Sequence, residues 1–148
     1  MTSLSTPVHY VSVGHPAYSQ PFPCEPSTAK IGRELVRNVL GMWCLDNLAD
    51  RATLIATELI ANAARHTPCH EIHLIVTRPS LTWVRVGVVD QEPSRLPALS
   101  QADDAEESGR GLLLIDALSD RWGCDLHGSG TRPWAKEVWA ELRLEVAE

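Results

Sequence analysis

Glu58 and Asn62 stand four residues apart in a stretch with helical periodicity, which puts a carboxylate and a carboxamide side by side, one turn apart. At about 100° per residue, Arg51, Glu58, Asn62, Arg65 and His66 share one stripe with Ile55 within it, and the opposite side is Leu, Ile and Ala. Taken alone, such a stripe reads as the solvated side of an ordinary amphipathic helix. The pairing of residue types says more. A carboxylate can take a proton from a hydroxyl or a water. An amide oxygen can ligate Mg²⁺, a hard cation that prefers oxygen. Phosphoryl transfer uses these parts.

Ser108-Gly109-Arg110-Gly111-Leu112 stands directly before a short apolar helix expected over Gly111–Ser119. Glycines there let the backbone approach a ligand, and exposed N–H groups at a helix start favour phosphate. By itself a Gly-Arg-Gly turn entering a helix is often only a turn. Asp90 ends a Val-rich segment between these two features, where a buried acceptor could read an amino group. As a lone residue it reads as a turn former at a strand end.

The elements that must hold these groups follow from periodicity. Residues 1–18 have no clear period and read as a loosely held arm; residues 19–148 read as one domain. Ser19–Cys24 reads as a short strand that Pro21 and Pro23 confine to a sheet edge. Ser27 is placed as an N-cap, with a first helix from Thr28 to about Met42. Asp46–His66 is the strongest helical segment and ends before Pro68. Glu71–Arg78 and Leu81–Val89 read as a hairpin turning at Pro79-Ser80, and Arg121–Leu126 and Ala135–Leu144 as the last two strands. The polar stretch Asp90–Ser108, with acidic residues at 103, 104, 106 and 107, is long for a loop in a small domain and reads as mobile. The order predicts an α+β two-layer sandwich, with helices on one face of a mixed, mostly antiparallel sheet.

The totals narrow the function classes. A chain of 148 residues can bury a core without disulfides or metal. A net charge of −6 and the lack of a basic block disfavour direct nucleic-acid binding. No apolar stretch is long enough to span a membrane. The first basic side chain is Lys30, which argues against a leader peptide and makes the cytoplasm the expected compartment. The four cysteines form no C-x-x-C pair and are expected to be reduced there. Cys69, His70 and His73 lie close together, but 70 and 73 straddle a strand start and point to opposite faces, so zinc is not expected.

The ordered set is more specific than any member. Glu58-Leu59-Ile60-Ala61-Asn62-Ala63-Ala64-Arg65-His66 resembles the N box of GHKL ATPases, in the E-L-x-x-N-A-x-x-H form of the bacterial anti-sigma-factor serine kinases. Glu107-Ser108-Gly109-Arg110-Gly111-Leu112 is similar to that branch's second glycine box, and Asp116 to Gly123 to its usual continuation. Lys136, Val138, Trp139 and Leu142 resemble the closing K-T-V-W-x-x-L strand. The likeness runs from about Gln20 to Leu144 and implies a Bergerat-type ATP-binding fold. It implies Glu58 as general base, Asn62 as Mg²⁺ ligand and Asp90 as the carboxylate that meets the adenine amino group. Gly109, Arg110, Gly111 and Leu112 cover the phosphates, His66 joins the nucleotide-binding set, and residues 91–108 form a lid. ATP and Mg²⁺ are the implied cofactors. A sigma factor and a small anti-anti-sigma protein are the implied partners, and the implied activity is phosphate transfer to a Ser or Thr of a partner.

Two departures stand out. The first glycine box, D-x-G-x-G, reads here Asp90-Gln91-Glu92-Pro93-Ser94, without either glycine. Glu137 replaces the family's usual Thr and is expected near the ligand. Both predict weakened nucleotide affinity, and they keep open an alternative: a non-catalytic binding module of the same fold. The five tryptophans supply apolar area that a core or a homodimer interface would use equally well.

Overall fold

The computed structural model describes residues 8–10, 16–66, 71–91, 107–129 and 132–144. Six described strands form one sheet: β1 (Val8–Tyr10), β2 (Pro16–Pro23), β3 (Glu71–Ser80), β4 (Trp83–Asp90), β5 (Arg121–Ser129) and β6 (Arg132–Arg143). Their spatial order is β1-β2-β3-β4-β6-β5. Every described ladder is antiparallel, so the mixed pairing allowed for in the sequence does not occur among them. Three helices, α1 (Thr28–Met42), α2 (Ala49–His66) and α3 (Glu107–Leu118), complete the α+β sandwich. A short 3₁₀ turn over Asp46–Leu48 precedes α2, where the sequence suggested one continuous helix.

Alternation decides which face of the sheet the helices cover. Ile72, Leu74 and Val76 of β3, Val84, Val86 and Val88 of β4, and Val138, Ala140 and Leu142 of β6 are all buried, in one cluster with the apolar sides of the helices. From α1 come Leu35, Val36, Val39 and Leu40; from α2, Ile55, Leu59 and Ile60; from α3, Leu112 and Ile115. Each fully buried aliphatic side chain contributes roughly 1.5–3 kcal/mol of transfer free energy. α2 is the central helix. It packs against α1, α3 and β4, so it positions whatever its third side presents.

Several boundaries differ from the sequence reading, each for a local reason. Within the stretch read as an arm, Val8–Tyr10 forms β1 and Pro16–Tyr18 belongs to β2. β1 covers β2 only over residues 16–18, so Pro21 and Pro23 still lie where no outer strand needs their missing N–H. Pro79 falls in a register shift of β3, and the hairpin turns two residues later than expected, at Leu81-Thr82. The Ser80 hydroxyl accepts the Thr82 N–H at 3.2 Å and fixes that turn. α1 starts where predicted, but the Ser27 hydroxyl donates to Glu25 rather than capping the helix. Instead the Thr28 hydroxyl donates to the Pro23 carbonyl at 2.7 Å and ties β2 to the helix start. Of the tryptophans, Trp134 is exposed and the other four are partly buried, with the Trp43 ring also against Tyr18. No helix among the described residues is long and apolar enough to cross a membrane.

Candidate functional site

The stripe on α2 does not face solvent. Ile55 is fully buried, Asn62 is buried, and Arg51 and Glu58 are half-buried. The covering element is α3. Arg51 reaches across and donates to the Leu118 carbonyl at 3.2 Å, satisfying an acceptor that α3 leaves open at its C-terminus. The solvent-facing side of α2 carries instead Asp50, with its carboxylate on Arg37 of α1 at 3.2 Å, and the exposed Leu54. Glu58 and Asn62 therefore sit on the side of α2 that the fold reserves for α3 and the end of the sheet.

The second glycine box does not precede a helix; it is the helix start. α3 begins at Glu107, so Gly109, Arg110 and Gly111 lie in its first turns. The four N–H groups with no acceptor inside the helix are those of Glu107, Ser108, Gly109 and Arg110. Leu112, read as part of the phosphate cover, packs its side chain in the core with Ile115, which leaves it only a backbone role at a ligand. His66 is the last residue of α2. The side chains of Arg65, His66 and residues 107–111, and residues 92–106 of the lid expected over 91–108, with Glu92 and Ser94, lie outside the described residues, as do Cys69 and His70. His73 lies in β3, 3.8 Å from the Glu71 carboxylate.

Asp90 ends β4 on the helix-covered face, in step with Val84, Val86 and Val88. It is 2% exposed, and Lys136, directly opposite on β6, donates to its Oδ1 at 2.9 Å while itself buried. A buried carboxylate is costly without a cation, and a buried ammonium without an anion; each neutralises the other here. On the far side of Lys136, cross-strand on the same face, stands Leu126, half exposed. Two residues further along β5 is Cys124, whose thiol burial pushes up from its ordinary value while the Lys136 ammonium pulls the other way.

Glu137 is a correction. Neighbouring residues of a strand point to opposite faces, so with Lys136 on the helix side Glu137 must face away from it. Its neighbours agree: His127 Nε2 lies 3.4 Å from its Oε1, and its carboxyl group lies over Gly87. Burial raises its pKa, against the lowering effects of Arg85 and His127. The residue of β6 that stands beside Asp90 on the helix-covered face is Lys136, not Glu137. Sequence reasoning treated Lys136 as a motif letter only. The signal was present, since Lys136 shares strand parity with Val138, Ala140 and Leu142 and so had to lie on the core face with an acid beside it.

The continuation after α3 is explained by structure. Asp116 accepts the Trp122 indole N–H at 2.9 Å, Asp120 accepts the Arg143 N–H at 2.7 Å, and Arg121 donates to Glu141. A Cβ on Gly123 would stand 2.7 Å from Cζ2 of Trp139, so only glycine lets that ring lie across β5. These contacts tie the C-terminal part of α3 to β5, and β5 to β6.

A carboxylate and an amide thus share one helix, a second helix with a glycine-bearing start packs against it, and a buried acid ends β4. Residues 22–144 match the family described as the histidine kinase-like ATPase domain. An uncharacterized protein of Streptomyces coelicolor is 40% identical over 73 residues, covering 49% of this chain and 67% of the relative. With the family's fold present in its described part and its match running over most of the length, this chain belongs to the histidine kinase-like ATPase domains.

Proposed function

We propose that this protein is an ATP- and Mg²⁺-dependent regulator of the anti-sigma type, transferring phosphate from ATP to a Ser or Thr of a partner protein. Family membership implies ATP binding. The observation that carries the finer reading is the retention of Glu58 and Asn62 together on the α3-facing side of α2. A scaffold that only bound a partner would have no chemical need for both. The donor set fits the group: the Asn62 amide oxygen would hold Mg²⁺, and the open N–H groups of α3 would meet phosphate. Bound ATP supplies the phosphoryl group. Glu58 is placed to take the proton of an incoming hydroxyl. A sigma factor and a small anti-anti-sigma protein are the proposed partners, with no direct contact to nucleic acid or membrane.

A second reading, a non-catalytic module of the same fold, is favoured by one specific observation. Asp90 is already neutralised in a buried ion pair. The missing glycines at 92 and 94 point the same way. Calorimetric titration with ATP and Mg²⁺, beside radiolabel transfer to a candidate partner, separates the two. Glu58→Ala is expected to keep ATP affinity and to lose transfer by about 10²–10⁴-fold. Binding without transfer in the unmodified protein, across several candidate partners, would favour the module.

A further inference from the structure

We infer that two copies of this chain pair edge to edge through β5, antiparallel about Gly123, so that their sheets run on as one. The inference goes beyond the phosphate-transfer reading and does not depend on it.

The two edges of the sheet are built differently. At one edge β1 is three residues long, and β2 beside it carries Pro16, Pro21 and Pro23, which have no N–H to offer a further strand. At the other edge β5 runs for nine residues without a proline, and among the described residues no strand pairs with its outer side. Every second residue of such a strand turns its N–H and C=O outward, a template for another strand.

The side chains of β5 say which strand fits. Identical strands paired antiparallel about a two-fold axis match residues at equal distances on either side of it. About Gly123, Arg121 of each copy faces Asp125 of the other, and Trp122 of each faces Cys124 of the other. Moving the axis to Trp122 or Cys124 leaves the opposite charges unmatched, and moving it to Arg121 or Asp125 sets like charges face to face. Charges on an edge strand ordinarily keep other strands away. Here they have opposite signs and stand symmetrically about a glycine, so the pairing turns both into attractions. Both side chains are half exposed. Arg121 uses its Nε on Glu141 and keeps further N–H groups; the Asp125 carboxylate, 3.8 Å from Arg85, can accept more than one donor.

The helix side of this edge is apolar. Trp122, Cys124 and Leu126 alternate onto it, opposite Ala140, Val138 and Lys136 of β6, and Leu126 is half exposed. On α3, Leu113 lies one turn before Asp116, whose carboxylate accepts the Trp122 indole N–H. The half-exposed Leu113 therefore stands on the side of α3 nearest β5. A second copy across β5 covers this strip.

Sedimentation of the full chain over a concentration series tests the pairing. The unmodified protein is expected to dimerise. Arg121→Asp and Asp125→Arg each set like charges opposite one another twice across the axis, and each is expected to weaken association by about tenfold or more. An equal mixture of the two variants restores opposite charges at both positions and is expected to dimerise as the unmodified protein does. Asp125→Arg changes only a half-exposed side chain and decides the matter if Arg121→Asp does not fold. A monomer at every concentration would overturn the inference and leave the edge to a strand of another protein. So would a dimer that Asp125→Arg leaves unchanged, or a mixture that associates no better than either variant alone.

Discussion

The two faces of β4 and β6 bury charge in different ways. On the helix side, Asp90 and Lys136 form a single buried pair, printed onto an otherwise aliphatic row. On the other side, Glu141 is 1% exposed, yet none of the described helices covers it. Arg85 donates to one of its oxygens at 2.7 Å and Arg121 donates to the other. The guanidiniums in turn lie over indoles: Arg85 is 4.1 Å from the centre of the Trp139 ring, and Arg121 3.8 Å from that of Trp83. Arg85 also lies 3.8 Å from Asp125. One face carries a buried acid–ammonium pair at the end of β4; the other spreads its charges over a lattice of arginine, acid and tryptophan. The lattice belongs to stability, since Glu141, Arg85 and Arg121 each have more than one partner. The pair lies at the end of β4, on the helix-covered face.

That contrast makes Lys136 the most sensitive position of the sheet. Lys136→Met should cost about 3–5 kcal/mol of folding stability, because it leaves a buried carboxylate without its cation. Urea unfolding measures it. Adding Asp90→Asn to the same chain should recover much of the loss, since a neutral amide is less costly to bury. A loss below about 1 kcal/mol would show that the pair is better solvated than its burial implies, and the contrast between the faces would fail.

The lattice can be probed through the glycine that admits its aromatic part. Gly123→Ala places a methyl 2.7 Å from Trp139 Cζ2, so the ring that carries Arg85 has to move. Overpacking of this kind typically costs about 1–3 kcal/mol. Near-UV circular dichroism should report the moved indole, and a thermal scan the lost stability. An unchanged indole signal would mean that Trp139 is not held against β5. Arg121→Gln should cost less, about 1 kcal/mol, because the Arg121 side chain is half exposed and Glu141 keeps Arg85. A loss as large as that from Lys136→Met would erase the claimed redundancy.

How much of this was legible in the sequence depends on whether the signal was local. α1 and the main body of α2 follow directly from their apolar spacing, and the two-layer arrangement follows from the order of elements. Glu58, Asn62 and Asp90 stand out in the sequence because their types and order carry chemistry. What escaped was register. Nothing in the chain between residues 90 and 136 says that these two stand opposite each other, and nothing marks Glu141 as buried when its strand neighbours on that face are Trp139 and Arg143. The start of α3 also escaped, because glycines in Ser108–Gly111 suggested a turn while tertiary packing extends the helix through them. The misplacement of Glu137 came from reading a motif by position alone; strand parity counted back from the buried Val138 would have turned it to the other face.

Glu137 yields the smallest effect and the finest test of that parity. Its pKa is raised in the folded protein, with burial the first cause and the nearby Asp125 carboxylate adding to it. Arg85 and His127 oppose the shift without reversing it. A carboxyl group that holds its proton more tightly when folded stabilises the fold at low pH. That contribution is complete below the ordinary carboxylate pKa and is lost as pH rises through the raised folded value. Glu137→Gln, which cannot ionise, should therefore remove part of the stability decline between the ordinary carboxylate range and the raised value. The stability curves of the two proteins should converge at the acid end of that window and separate above it, with the variant the more stable. Chemical denaturation at several pH values reads this directly. Because Glu137 faces away from Asp90, the same substitution should leave ATP affinity nearly unchanged. A variant that loses stability as pH rises just as the unmodified protein does would show that Glu137 is paired well enough to ionise normally, and a large change in ATP affinity would put it back on the ligand side of the sheet.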